Sequence, residues 1–364
     1  MPLSTARATV PPSVPGDRTV RALVWRSGGV EDAVLDVPPL APGEVLVRVR
    51  LATVCACVTR AVRSRELGSA LAVLGHEGVG VVEAVGRGAE ALTVAGDSVH
   101  PGMRIVWARA AGCGACETCR RGRQAACADA TTLGARPMRG HGDLAGSLAE
   151  RLVLAAGWPI AAVPASLPDA VVSPAGCATA VALAACDAAG DLHGRHVVVM
   201  GGGARGLAAV AAAGEQGARS CTVIDADPQR RRQALAFGAD LALDAESRPP
   251  ACDAVIDLSR TGDRVDVALA ALRPGGTVVL GPEPERERAE IDLERLVAQG
   301  LRVAGVPGPE PHHLVAAVDL LAADHAMRPW SALVAPPQSL ATLSVGMADW
   351  SAPPQRLSWA PDAP

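Results

Sequence analysis

The chain has 364 residues, 49% of them hydrophobic and 20% charged, with a formal net charge of −4. That length exceeds the usual single domain, and the composition supports buried cores rather than disorder. The slight acidity excludes the basic footprint that nucleic acid or an anionic membrane surface requires.

Residues 1–19 are rich in Pro, Ser, Thr and Ala, lack the apolar run of a secretory signal, and read as a loose tail. No later stretch offers the roughly 18 consecutive apolar residues of a membrane span, so no span is expected and the cytoplasm is the expected compartment. The segment 44–50, Glu-Val-Leu-Val-Arg-Val-Arg, alternates apolar and polar residues as a half-buried strand does. Cys55-Ala-Cys-Val-Thr-Arg60 follows, then Leu74-Gly-His-Glu-Gly-Val-Gly80. Taken singly, a cysteine of this kind is more often a small core residue than a ligand. Segments 78–85 and 103–107 are further strand candidates, set apart by Gly and Pro turns.

Cys113, Cys116, Cys119 and Cys127 then form C-x2-C-x2-C-x7-C. Four thiolates this close can complete a tetrahedral shell with Zn–S bonds of about 2.3 Å and no open position, which makes the site structural. Arg109, Arg120, Arg121 and Arg123 flank the cluster and are placed to offset its negative charge. The rivals are unrelated or disulfide-bonded cysteines and a nucleic-acid zinc ribbon, although such ribbons usually pair two separated knuckles and carry aromatics. His141, in the Gly-rich loop that follows, is a candidate to face a cleft, and Cys177 stands at the entry to the second half.

From His196 the rhythm changes to alternating strand and helix. Segment 196–200 is an apolar strand, and Gly201-Gly-Gly-Ala-Arg-Gly206 fits G-x-G-x-x-G directly before an Ala-rich helix at 204–216. Gly201 permits the tight turn, Gly203 lets the backbone approach a pyrophosphate, and Gly206 allows close helix–strand packing. The phosphate would sit on the helix N-terminus. Asp225 falls 19 residues after Gly206, at the end of the strand 220–225. A carboxylate there accepts hydrogen bonds from ribose hydroxyls and repels a 2′-phosphate, which favours NAD over NADP. Ala204, Arg205 and Arg230 complete the candidate cofactor set, although the run Arg230-Arg231-Arg232 also suits a solvated helix face. Pro228 opens that helix, and segments 252–258 and 276–281 repeat the strand pattern. Such alternation builds a parallel sheet covered on both faces. After Arg302 the pattern reads as irregular and Pro-rich, Cys186, Cys221 and Cys252 read as core, and His312-His313 as surface.

In this order, Cys55, Gly75-His76-Glu77, the four-cysteine lobe, Cys177 and the turn at Gly201 resemble the zinc-containing medium-chain alcohol dehydrogenases over nearly the whole chain. The resemblance implies an α/β fold: a GroES-like β-rich catalytic domain at 20–178 with its structural zinc lobe near 109–130, a Rossmann doubly wound parallel sheet at 179–304, and a return to the catalytic domain at 305–364. It implies two zinc ions per chain, the catalytic one on Cys55, His76 and Cys177, with Glu77 behind them or as a transient fourth ligand. It also implies NAD, a small alcohol or aldehyde substrate acidified by the metal for hydride transfer, and a homodimer or homotetramer pairing through the strand at 301–306. A narrower resemblance, to the phosphonate catabolism-associated branch, is carried by Val106-Trp-Ala-Arg-Ala-Ala-Gly-Cys113, Cys119-Arg-Arg-Gly122, Ser173-Pro-Ala-Gly-Cys-Ala-Thr-Ala180 and Ala185-Cys-Asp-Ala-Ala-Gly190.

The chain departs from that pattern around its first ligand. Cys57 stands where many relatives carry the proton-relay hydroxyl, Val58 where they carry an acid, and Arg60 where some carry a relay His. Arg cannot act as a base at neutral pH, which leaves Cys57 or Thr59 as relay candidates. Arg60, Arg63 and Arg65 would suit an anionic substrate such as a phosphonate if they face the pocket, and a solvated helix face if they do not. Two other readings remain: Val58, Cys57 and Arg60 support an NAD-binding relative with impaired or altered zinc chemistry, and the Cys113–Cys127 cluster alone speaks for a zinc-stabilised binding protein with no redox role. Gly201–Gly206 with Asp225 argues against the last.

Overall fold

The computed structural model describes residues 19–26, 28–64, 71–134, 143–261, 264–285, 288–348 and 356–363. The tail 1–18, Arg65 and His141 lie outside them. Thr19, expected to end the tail, begins the first strand, Thr19–Arg26.

Alternating segments in the first half form antiparallel strands that bury one face. The larger sheet runs, in order, Ile160–Ala162, Arg104–Trp107, Glu77–Val85, Val45–Thr53, Arg356–Trp359 and Val334–Gln338, and Arg151–Leu154 also pairs with Val45–Thr53. The last strand therefore returns to the first half, with Ser358 opposite Thr53 and Trp359 opposite Ala52. A two-stranded ladder of Ala110–Ala111 with Thr131–Thr132 closes the base of the cysteine lobe.

The apolar runs of the second half form a six-stranded sheet in which every pairing is parallel. Its order is Leu241–Leu243, Ser220–Ile224, His196–Met200, Cys252–Asp257, Leu272–Leu280 and Arg302–Gly305. This is the doubly wound 3-2-1-4-5-6 arrangement, whose strand order reverses between His196–Met200 and Cys252–Asp257. Ligands bind at that switch point, outside the carboxyl ends of the strands.

Among the described residues one helical stretch, Asp169–Ala189, is long and apolar enough to cross a membrane by length and composition, and 83% of its apolar window is buried inside the protein. It is the core helix on which Cys177 rides, and it packs against a second long helix, Pro311–Asp324. That second helix corrects the irregular reading after Arg302. Prolines flank it, but Pro311 occupies its first turn, where the missing N–H costs nothing. His313, expected at the surface, is buried: it closes a capping box with Glu310 and holds Asp187 through Nε2 at 3.0 Å. Cys186, Cys221 and Cys252 are buried, as expected of core cysteines.

Candidate metal centres and dinucleotide cleft

Three elements bring one sulfur–nitrogen cluster together. Cys55 ends the connection from Val45–Thr53 and is the N-cap of the helix Ala56–Arg63. His76 precedes the strand Glu77–Val85, after a Gly75 held at φ +88°. A Cβ on Gly75 would lie 2.6 Å from Ser147 Oγ, so both backbone and space require glycine there. Cys177 lies in a π-helical turn, Ala175–Thr179, a geometry common at functional sites. Its neighbour Gly176 allows that turn to reach strand Arg104–Trp107, since a Cβ there would fall 1.9 Å from the carbonyl oxygen of Trp107.

The ligand atoms of Cys55, Cys57, His76 and Cys177 lie within 4.8 Å of one another, and all four residues are buried. His76 Nε2 is 3.0 Å from Cys55 Sγ and 3.6 Å from Cys57 Sγ. Burial, and then the charge of Arg109, lower the His76 pKa to about 3, so the imidazole is neutral, as a metal ligand must be. Soft sulfur and imidazole donors in this number suit zinc. One feature differs from expectation: the sulfurs of Cys55 and Cys57 are bonded to each other. The C-x-C pair at a helix start leaves the two Cα atoms 5.4 Å apart, within the usual range for a disulfide. Zinc binding through Cys55 needs this pair reduced.

Behind the cluster, Glu77 Oε2 accepts a hydrogen bond from Thr53 Oγ1 at 2.8 Å and pairs with Arg356 Nη1, while its Oε1 is buried without a hydrogen bond. Burial pushes the Glu77 pKa up to about 7 against the pull of Arg356. Thr59 is spent on its own helix, donating to the carbonyl oxygen of Ala56 at 2.9 Å, and is 3% exposed. That contradicts a relay role. Val58 is buried, and Cys57 lines the cleft.

The four-cysteine lobe assembles as its spacing predicts. The sulfurs of Cys113 and Cys119 are 3.9 Å apart and those of Cys116 and Cys127 are 3.8 Å apart. A tetrahedron with Zn–S bonds of about 2.3 Å has edges of about 3.8 Å, so the four sulfurs fit zinc. Amides of Cys113, Cys116 and Cys119 point at Cys127, Cys113 and Cys116 Sγ, each at 3.4 Å. Hydrogen bonds from the amides of Ala115 and Cys116 hold the Cys113 thiol down at about 6. Arg121 pairs with Glu117. Arg109, expected to offset the lobe's charge, instead pairs with Glu283.

The glycine turn meets the requirements of a dinucleotide. Gly201 has φ +95°, Gly203 has no atom within 4 Å of a built Cβ, and a Cβ on Gly206 would lie 1.8 Å from the Gly201 carbonyl oxygen. Gly203 is also the N-cap of the helix Ala204–Glu215. Asp225 accepts from the amides of Gly202 at 2.7 Å and Asp227 at 2.8 Å, which holds a buried carboxylate beside the turn. Arg230 lies 3.8 Å from Asp225 and lines the cleft, whereas Arg231 is tied to Asp244 and the carbonyl of Asp225. The run is therefore not simply solvated. The cleft holds about 450 Å³ and joins the glycine turn to Cys55 and Cys57. Arg205 spans the two, with Nη2 3.8 Å from Cys57 Sγ.

Sequence reasoning did not single out Glu283, Arg260, Thr53 or Arg356. Their partners lie tens to hundreds of residues away, so no local spacing signals them.

Comparison with known proteins agrees with this arrangement. The profile of the alcohol dehydrogenase GroES-like domain matches residues 41–165, and that of the zinc-binding dehydrogenases matches 204–323. The chain is 30% identical to an L-threonine 3-dehydrogenase of Anaeromyxobacter dehalogenans over 298 residues, covering 75% of this chain and 79% of that protein. An alcohol dehydrogenase from Thermotoga maritima superposes with a TM-score of 0.84 at 22% identity, over 94% of this chain and all (100%) of the other. A zinc-binding dehydrogenase from Sinorhizobium meliloti, bound to NADP, superposes at 0.79 and 23% identity, over 95% and 100%.

Proposed function

The chain belongs to the zinc-containing medium-chain alcohol dehydrogenase superfamily, oxidoreductases of CH–OH groups, and on that premise we propose that it interconverts a small alcohol and its aldehyde or ketone with NAD. The observation that carries the reading is the shared cleft: the dinucleotide turn and Cys55 line one space, and Cys55 belongs to the buried cluster with His76 and Cys177. Bound zinc would supply a Lewis acid that makes the alcohol proton labile, and the nicotinamide would accept the hydride.

The chain's own groups do the positioning. Cys55, His76 and Cys177 would hold the metal, and Glu77, fixed by Thr53 and Arg356, would place a carboxyl behind these ligands. Gly201, Gly203, Ala204, Arg205 and Gly206 seat the dinucleotide. Asp225, with Arg230 beside it, takes the ribose hydroxyls, and its charge disfavours a 2′-phosphate. With Thr59 engaged and Arg60 permanently charged, the Cys57 thiol of the reduced protein is the proton-exchanging group on the cleft. Arg60, Arg109 and Arg205 converge on the single carboxylate of Glu283, and this local gathering of cations favours a substrate with an anionic group, the phosphonate-like case.

We place the domains at 20–178, 179–304 and 305–364, and the chain in the cytoplasm, where zinc thiolates stay reduced. We also assign a homodimer or homotetramer, because Arg302–Gly305 is an edge strand with Val303 exposed and Leu293 and Val297 exposed nearby. The test is NAD reduction on a panel of small alcohols with wild type and His76→Ala. Turnover lost in the variant supports the reading, and turnover retained overturns it. A second reading, a relative with altered zinc chemistry, is favoured by the bonded Cys55–Cys57 pair. It predicts NAD binding without turnover for as long as that pair stays bonded.

A further inference from the structure

Among the described residues, two that are not glycine hold left-handed backbone: Arg260 at φ 72° and Glu283 at φ 63°. Such backbone is unfavourable for residues with a Cβ, persists only where the surroundings impose it, and gathers at functional sites. Both residues belong to one cluster beside the metal pocket. Glu283, on the loop after Leu272–Leu280, pairs through Oε1 with Arg109 Nη2. Arg60 Nη2 and Arg205 Nη2 approach its Oε2 at 3.8 and 3.9 Å. Arg260 follows strand Cys252–Asp257 and has the exposed Glu285 as a partner at 3.7 Å. Among the described residues, four guanidinium groups thus gather around the enclosed carboxylate of Glu283, with the Glu285 carboxylate at the rim.

Glu283 does not satisfy this cluster. Its Oε2 is buried and accepts no hydrogen bond, and the Nε atoms of Arg109 and Arg260 are buried without an acceptor. A planar group with two oxygens cannot engage forks converging from four directions. A tetrahedral group with three free oxygens can, and guanidinium forks match it well. Burial raises the Glu283 pKa, but Arg109, Arg205, Arg60 and Arg260 together bring it below the ordinary value, so the carboxylate is ionised and serves as an anion here.

We propose that Arg60, Arg109, Arg205 and Arg260 form an oxyanion subsite for a phosphate or phosphonate group carried by the alcohol substrate, and that Glu283 is the internal anion which that group displaces. The inference rests on the reading of this cleft as the dehydrogenase site, and it makes Glu283 a specificity-determining residue. Arg205 lies 3.8 Å from Cys57 Sγ, and Arg60 and Arg109 come from the metal-binding half. The subsite is thereby next to the reacting end of the cleft; Arg205 belongs to the dinucleotide turn by its backbone and reaches the subsite with its side chain.

The test is calorimetric titration of inorganic phosphate into the zinc-loaded protein, with and without saturating NAD. Phosphate is expected to bind in both states, at least five-fold more tightly to Glu283→Gln and at least ten-fold more weakly to Arg205→Met. Affinity unchanged or weakened in Glu283→Gln, or unchanged in Arg205→Met, overturns the subsite. Phosphate binding abolished by NAD also overturns it, because the anion then occupies the cofactor's own pyrophosphate pocket. Turnover of 2-hydroxyethylphosphonate and its neutral isostere 3,3-dimethylbutan-1-ol separates this inference from the function it rests on. Equal oxidation of both overturns the subsite and leaves the dehydrogenase standing. Oxidation of neither, with the phosphate results as expected, supports the subsite and overturns the dehydrogenase reading.

Discussion

Trp107 donates its indole N–H to the main-chain carbonyl of His76 at 3.0 Å, while its own carbonyl oxygen lies against Gly176, next to Cys177. One buried tryptophan therefore sets the spacing between two of the three proposed catalytic-zinc ligands.

Gly176→Ala should break that spacing. The new Cβ would fall 1.9 Å from backbone, so strand and helix must separate and carry Cys177 away from His76. A loss of about 1–3 kcal/mol in stability is expected from overpacking. The metal at the buried cluster should go with it while the four-cysteine lobe keeps its own. Zinc analysis with thermal unfolding checks this, and a variant with wild-type zinc content contradicts it.

The glycines of the dinucleotide turn should separate binding from folding. Gly203 has open space beyond it and φ −72°, so Gly203→Val should leave the melting temperature near wild type but weaken NAD binding at least ten-fold. Gly206→Ala would press on the Gly201 carbonyl oxygen at 1.8 Å and should destabilise the fold itself. Equal loss of NAD affinity and equal stability in both variants would count against a cofactor at this turn.

Cys57→Ser should free Cys55 from its sulfur partner. Protein of this variant purified in air is expected to hold the metal at the buried cluster, whereas wild type needs a reductant to do so. The same reductant dependence in both proteins would show that the Cys55–Cys57 bond does not control the site.

Glu283 carries a pH signature. Its pKa lies below 4.5 in the folded chain because the surrounding arginines outweigh burial. A depressed carboxylate contributes stability that is fully present above its unfolded pKa and is lost as the pH falls through the folded value. Wild type should therefore be more stable than Glu283→Gln at neutral pH, by on the order of 3 kcal/mol for a broken, largely buried pair. The gap should close in acid below 4.5. Melting curves across pH measure it, and a gap that does not depend on pH would contradict the assignment.

How much of this was legible in the sequence depended on distance along the chain. The four-cysteine lobe and the glycine turn are local, and spacing alone singled out both groups of residues that the fold brings together. Cys55, His76 and Cys177 could be grouped only through a family resemblance, since nothing local says that a residue at 177 meets one at 55. The arginines were the hardest to place. Arg109 stands four residues before Cys113 and was read with the lobe, yet its partner is Glu283, 174 residues away. Arg356 reaches Glu77 across 279 residues, because the final strand rejoins the first half. Thr59 was misjudged for the opposite reason: its nearest acceptor was in its own helix. The prolines around Pro311–Asp324 hid a long helix that tertiary packing and a histidine cap hold in place.

The measurement that bears most directly on the central claim is zinc content per chain, on reduced protein purified without chelators, for wild type and Cys177→Ser. Two zinc ions in wild type and one in the variant are predicted, with NAD-dependent alcohol oxidation lost in the variant. A single zinc in both proteins would mean that only the four-cysteine lobe binds metal, and would contradict zinc-dependent catalysis at Cys55, His76 and Cys177.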